Sequence, residues 1–418
     1  MVKLAHERDV LGQYIVDFEE RVDMARLRRE RLQRLQAEMA KADLGGMVLF
    51  DPLDIRYATG RRYPGSYFMR VLFFYVVVPR EGAPYVPEEH FDGTPIEGQG
   101  GFGEAEFRRQ KGSLWDYFPC GRNVEEAARL WGQRIKSHMI ELGISGERLG
   151  IDRLDFHGIE SLRAQEITLA DARVPFARAR AIKTVDEISL IRQACAVGDV
   201  AIARTREAIK PGVTEDKLFS ILAATNLEFG GEHMDGRLLT AGGNTNPWTG
   251  FAGDRIVRPG DLVAYDLDMA GPMGYFADFS RTYLCGDGKP NEEQLEAYKL
   301  AYNFIYGSLH LFRPGMGFQE ISQKCPPYPQ EYKDQRYPMI AHGDGMSDEW
   351  PCIYWPDQSW SGFGTDPDVL EENMVLSIEG LASKSGARES VKLEEQILIT
   401  ADGPEVLSQA PFDDRFFN

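Results

Sequence analysis

Residues 262–271 read Leu-Val-Ala-Tyr-Asp-Leu-Asp-Met-Ala-Gly, an apolar run that ends in two aspartates one residue apart. On a β-strand, alternate side chains leave the same face, so the spacing predicts that Asp266 and Asp268 point together. Working outward, three more strand-like runs carry an acid: Tyr275–Asp278 (YFAD), Met374–Glu379 (MVLSIE) and Val391–Thr400 (VKLEEQILIT, with Glu394). Taken singly, each acid reads as a solvated strand end. Several in one domain are harder to dismiss, because a buried carboxylate without a partner is costly. Divalent ions need hard oxygen ligands in excess, some of them shared, often with one imidazole. Acids set into apolar strands supply the oxygens.

The rest of the composition narrows the function classes. At 418 residues the chain is longer than one ordinary domain of roughly 150 residues. With 43% hydrophobic and 27% charged residues it has a globular composition, and no apolar run approaches the ~20 residues of a membrane span. The first twenty residues mix acids, bases and apolar side chains with no secretory pattern, so the expectation is a cytoplasmic protein with no membrane partner. Five scattered cysteines, none in a CxxC spacing, read as reduced thiols. Lys and Arg number 47 against 65 Asp and Glu, and the net charge of −18 argues against a nucleic-acid partner, which requires a basic patch.

Helical spacing of Met24, Leu27, Leu32, Leu35 and Met39 predicts an amphipathic helix over 21–42. Gly45-Gly46 ends it, and Met47–Phe50 reads as a buried strand running into a turn at Asp51-Pro52. A second apolar run, Val71–Val78, and a helix over 124–142 complete an α/β domain spanning 1–180. A long helical pattern over 179–209 opens a second domain, 181–418, that holds the candidate site.

The acidic runs, in order with Asp278-Phe279-Ser280-Arg281-Thr282, His342-Gly343-Asp344-Gly345 and Ile378-Glu379-Gly380, resemble the pita-bread metallohydrolase superfamily of methionine aminopeptidase, prolidase and creatinase. The segment GGMVLFDPLDIRYATG (45–60) is similar to the creatinase-type N-terminal domain. The resemblance implies a creatinase-like α/β N-terminal domain followed by a pita-bread domain, and two divalent ions on Asp266, Asp268, Asp278, His342, Glu379 and Glu394. One aspartate suffices in the peptidases where this chain has the pair 266/268. A homodimer is expected by the same resemblance. Arg281 is expected to make a salt bridge to a ligand carboxylate. Asp344, Glu395 and His233 receive no role.

Peptidases of this superfamily carry further histidines beside their metals, which hold the carbonyl and pass a proton to a poor amine leaving group. Here the upstream segment is Gly-Gly-Asn-Thr-Asn-Pro-Trp-Thr-Gly (242–250) and the downstream one His-Gly-Asp-Gly-Met-Ser-Asp-Glu-Trp-Pro (342–351). With Tyr337, YWPD (354–357) and KLEEQILIT (392–400), these segments closely resemble DddP-type dimethylsulfoniopropionate lyases. That resemblance implies cleavage of dimethylsulfoniopropionate to dimethyl sulfide and acrylate by β-elimination, with iron as the metal and zinc or manganese as alternatives.

The chemistry suits the residues. Elimination removes the proton next to the substrate carboxylate, and dimethyl sulfide leaves as a neutral molecule without a general acid. Asp348 is the first candidate for the base and Tyr337 the second, as base or as an orienting group. The sulfonium end of the zwitterionic substrate suits aromatic faces; Trp248, Trp350, Tyr354 and Trp355 are available, with Trp248 and Trp350 foremost. Two rivals remain: a hydrolase of the same fold acting on proline dipeptides or a C–N bond, and a binding protein without chemistry.

Overall fold

The pattern expected to run as one helix over 179–209 is broken at Ile182–Thr184, because Thr184 and Glu187 form a reciprocal capping box that starts a new helix at Val185. In the computed structural model this break follows the division between two compact units, Asp23–Arg180 and, from Ala181, the remainder of the chain. The structure describes residues 22–61, 74–87, 108–110, 120–248, 250–357 and 365–417. The first twenty residues and Val71–Phe73 lie outside the described residues.

In the N-terminal unit, helix α1 (Met24–Lys41) turns Leu27, Leu35 and Met39 inward, and an Asp23 side chain caps its start. Strand β1 (Gly46–Leu49) is wholly buried, and Asp51 and Pro52 open the short α2 (Pro52–Thr59). Strands β2 (Val76–Pro79), β3 (Tyr85–Pro87), β4 (Arg108–Gln110), β5 (Leu149–Ile151) and β6 (Leu169–Asp171) join β1 in one mixed sheet of order β4-β3-β2-β1-β5-β6. Helix α3 (Val124–Glu141) packs Trp131, Ile135 and Met139 against that sheet's Val48, Val77 and Leu149; α4 (Phe156–Ala164) and α5 (Arg173–Ala181) follow. Uninterrupted apolar strands covered by helices are the mark of an α/β layer.

The second unit begins with α6 (Val185–Ala208) and α7 (Glu215–Glu228). Two small sheets follow. One has the order β11-β10-β7, from β7 (His233–Met234), β10 (Met269–Ala270) and β11 (Phe276–Ala277); the other has the order β12-β9-β8, from β8 (Leu239–Ala241), β9 (Leu262–Tyr265) and β12 (Arg281–Leu284). Helices α8 (Glu292–Ser308) and α9 (Phe318–Lys324) lead to a five-stranded antiparallel sheet. Its order is β14-β13-β15-β16-β17, built from β13 (Met339–Asp344), β14 (Asp348–Tyr354), β15 (Val375–Ala382), β16 (Val391–Thr400) and β17 (Gly403–Val406). Helix α8 packs Ala301, Phe304 and Ile305 into one core with Ile378 and Leu393 from the sheet. The opposite faces of β13, β15 and β16 carry the polar residues described next. Cys195, Cys285, Cys325 and Cys352 form no disulfide among the described residues. No helix among the described residues is long and apolar enough to cross a membrane.

Candidate metal centre

Strand register brings the acids together. In the β15–β16 ladder Glu379 lies directly opposite Glu394. Like charges placed opposite one another weaken a sheet, so a buried Glu–Glu pair calls for positive charge between the side chains. In β13, His342 pairs with Ser377 of β15 and turns its Nε2 toward three carboxylates, 3.5 Å from Asp278 Oδ2, 3.4 Å from Glu379 Oε1 and 3.7 Å from Glu394 Oε1. Asp278 comes from the link after β11 and Asp266 from the link after β9. Ser280 Oγ sits 2.7 Å from both Asp266 Oδ1 and Glu394 Oε2.

Three groups of candidate donors emerge among the described residues, and two of them share Glu394: Asp266, Asp278 and Glu394, and His342, Glu379 and Glu394, each offering donor atoms within 4.8 Å of one another. Glu394 belongs to both of these, as a carboxylate shared by two ions would. Asp278 Oδ1 and Glu394 Oε1 are buried and make no hydrogen bond among the described residues. Such oxygens are rare without a partner, and oxygen donors with one imidazole suit hard or borderline divalent ions. The residues present therefore fit a two-metal site.

The electrostatics agree. Burial, then repulsion from Glu394, pushes the Asp266 carboxyl up to about 6 despite Lys392 beside it. Burial and then Glu394 raise Asp278 well above the usual carboxylate range. His342 is pulled down by burial, but its contacts with Asp344, Glu379 and Glu394 outweigh that and raise it. These are the responses of acids crowded in an apolar surround, where cations stabilise the ionised forms.

The pair 266/268 departs from the expectation. Strand β9 ends at Tyr265, so both aspartates lie in the link to β10, and Asp268 adopts a left-handed φ of 34° that breaks strand alternation. The shared face inferred from an unbroken strand is thus not what places them. Asp266 enters a ligand group and Asp268 enters none among the described residues. Asp268 nevertheless borders the set: burial, followed by Asp266, Asp348 and Glu394, raises its carboxyl, while a hydrogen bond with Asp278 opposes the rise.

Arg281 also differs. Its guanidinium is fully buried and grips Glu395 Oε1 and Oε2 at 3.0 and 3.1 Å, not a ligand carboxylate. Alternation along β16 sends Glu394 to the centre and Glu395 to the opposite face, where Tyr306 and Ser408 also bind it. Arg281 reaches the site through Nη1, which donates to the Glu394 carbonyl at 2.8 Å and to the Ser280 carbonyl at 3.0 Å.

Asp344, given no role from sequence, lies against the ligand histidine. Its Oδ1 is 3.2 Å from His342 Nδ1, and its Oδ2 accepts from Ser377 Oγ at 2.6 Å and Gln396 Nε2 at 3.2 Å. A carboxylate on the far ring nitrogen fixes the imidazole tautomer so that Nε2 is free to ligate. The i, i+2 spacing of His342 and Asp344 on a strand was the available signal; the bulge in the β13–β14 ladder between His342 and Gly343 hid its meaning.

Asp348 opens β14 and is exposed to solvent, yet its carboxyl lies within 4.8 Å of donor atoms of Asp278, His342 and Asp344. One side of the group faces solvent and the other faces crowded protein. Burial on that side is the main cause that raises its carboxyl to about 7, and Asp344, Glu394 and Asp266 add to it while His342 opposes. Tyr337 is half-buried beside the ligands, and Glu379 and then burial raise its phenol. Trp248 is half-buried on a loop pinned to the turn before β16 by Asn246 Nδ2 to Ala387 O (2.7 Å) and Ser390 N to Thr245 Oγ1 (2.9 Å). Trp350 packs edge-on to Phe318 and donates from Nε1 to Asp366, 3.3 Å. Trp355 is buried against Phe304 and Tyr328.

Comparison with known proteins agrees with this architecture. Residues 189–401 match the metallopeptidase family M24 model and residues 31–91 the creatinase/prolidase N-terminal domain. The chain is 32% identical to the dimethylsulfoniopropionate lyase DddP of Roseovarius nubinhibens, covering 94% of this chain and 87% of that protein. It is 30% identical to the Xaa-Pro dipeptidase of Pyrococcus furiosus, covering 91% and 98%. Among solved structures, the prolidase of Thermococcus sibiricus superimposes with a TM-score of 0.71 at 21% identity, covering 92% of this chain and 98% of that one. The chain therefore belongs to metallopeptidase family M24, the pita-bread enzymes, with a creatinase-type N-terminal domain and DddP-type lyases among its relatives.

Proposed function

We propose that the protein is a dimethylsulfoniopropionate lyase that forms dimethyl sulfide and acrylate by β-elimination. The observation that carries this reading is Asp348, a carboxylate open to solvent on one side and set against the ligand group on the other, where His342 is the sole imidazole among the described residues. Asp266, Asp278, His342, Glu379 and Glu394, with Asp268 alongside, would hold two divalent ions, which when bound would withdraw charge from a substrate carboxylate and acidify the adjacent carbon. Iron is the first metal to test.

Asp348 takes the proton from that carbon. The C–H electron pair becomes the new C=C bond of acrylate, and the bond from the β-carbon to sulfur breaks with its pair going to sulfur. Dimethyl sulfide leaves neutral, so no proton donor is needed at the leaving group. Tyr337, its phenol held protonated beside Glu379, serves better as an orienting donor than as a base. Of the two tryptophans, Trp248 is the stronger candidate for the sulfonium, because the Trp350 indole is engaged by Phe318 and Asp366.

The full-length similarity to Xaa-Pro dipeptidases favours a second reading, hydrolysis of proline dipeptides. Iron-loaded protein assayed with dimethylsulfoniopropionate and with Xaa-Pro dipeptides separates the two. Release of proline without any dimethyl sulfide sinks the lyase reading.

A further inference from the structure

A lysine ammonium stands inside the acid cluster. Lys392, fully buried on β16, places Nζ 2.8 Å from Asp266 Oδ2, 2.7 Å from Glu379 Oε2, 3.0 Å from Glu394 Oε2 and 2.8 Å from Ser280 Oγ, with the Tyr337 ring 5.0 Å away. Three of the proposed ligands therefore give one oxygen each to the lysine. Their other oxygens face elsewhere: Glu379 Oε1 and Glu394 Oε1 turn toward His342, and Asp266 Oδ1 toward Ser280.

We propose that Lys392 is a positioning residue, a fixed third cation that holds Asp266, Glu379 and Glu394 from one side and leaves their remaining oxygens to the two metal ions. This rests on the two-metal reading above. Formal charge supports it. Asp266, Asp268, Asp278, Glu379 and Glu394 bring five negative charges, which two divalent ions and Lys392 would balance; Asp344, set against His342, and Asp348, the proposed base, stand outside that balance. Without ions, Lys392 is the principal positive charge restraining acids that the β15–β16 register forces together. Strand alternation supplies the geometry, since Lys392, Glu394 and Gln396 share one face of β16 and Gln396 binds Asp344 on the same side.

The consequence is asymmetric. Loss of Lys392 harms the metal-free protein more than the loaded one, because ions take over its role. Melting temperatures of wild type and Lys392→Met, each after chelation and after reloading with manganese(II), read this without any activity measurement. The chelated variant is expected to melt about 10 °C below chelated wild type, the scale on which one buried ion-pair partner acts in a domain of this size. The loaded variant falls by less than half as much, so the chelation shift widens.

Equal falls in both forms, or no fall in either, overturn the inference and leave the two-metal reading standing. A wild-type protein with no chelation shift overturns both. Recovery of Lys392→Met in the loaded form alone is the expected result at its limit. If the variant is recovered in neither form, Lys392→Met/Glu379→Gln removes one charge of each sign: its recovery supports the counter-charge role, and its failure overturns it.

Discussion

Replacing Asp344 by asparagine changes one oxygen to an amino group and leaves the shape of the side chain intact. Asp344 Oδ1 faces His342 Nδ1 at 3.2 Å, while Oδ2 accepts from Ser377 Oγ and Gln396 Nε2. An amide cannot satisfy all three. With its NH2 toward Ser377 and Gln396, donor meets donor at the Gln396 amide. With its NH2 toward His342, it donates to Nδ1 and drives the ring proton onto Nε2, the atom that faces Asp278, Glu379 and Glu394. Either orientation weakens the ligand histidine. Loss of a carboxylate behind a metal-bound imidazole costs roughly 10- to 100-fold in metal affinity, or about 1.4–2.7 kcal/mol. Titrating chelated Asp344→Asn protein with manganese(II) against a competing chelator measures the change directly. Binding of both ions within about twofold of wild type would refute the orienting role of Asp344.

Three further outcomes follow from the same geometry. Asp348→Asn keeps the metal content of wild type and loses roughly 10²- to 10⁴-fold in dimethyl sulfide production; retained turnover moves the base elsewhere. Trp248→Ala raises KM for the sulfonium substrate by about 2- to 30-fold, the equivalent of ~0.5–2 kcal/mol of cation–π attraction, with metal binding unchanged. An unaltered KM removes Trp248 from the substrate site. Asp199 accepts the Gln409 and Ala410 amides, and burial, the largest cause, raises it from 3.8 to about 6. Its folded-state value exceeds the unfolded one, so its contribution is complete below about 4 and is lost as pH rises through about 6. Asp199→Asn therefore gains stability relative to wild type between pH 4 and 7, by up to about 3 kcal/mol, as read by urea denaturation at the two pH values. An equal difference at both refutes the assignment.

Much of the centre was legible from local pattern alone. Helical spacing located α1 and α3, and apolar runs bearing acids located β9, β15 and β16, with Asp266 just after β9 and Glu379 and Glu394 within β15 and β16. Even the break before α6 was written in Thr184-Val185-Asp186-Glu187, a capping-box spacing masked by the apolar periodicity on either side of it. These features depend on residues a few positions apart, which a linear text preserves.

What the sequence determined by itself is the donor chemistry: oxygens in excess, one imidazole in a ligand motif, and further carboxylates, Asp348 and Glu349, a few residues beyond it. Tertiary structure decided which donors meet and which atom of each is free. Only the β15–β16 register sets Glu379 opposite Glu394, and the left-handed backbone at Asp268 breaks the strand alternation that the D-x-D spacing suggested. Arg281 was assigned to a ligand and instead holds Glu395, while Asp344 and Lys392 carried no visible role and proved to touch the centre. The reason is physical. Propensity and periodicity act along the chain, whereas register, charge balance and the choice between two carboxylate oxygens are fixed by residues tens to more than a hundred positions away.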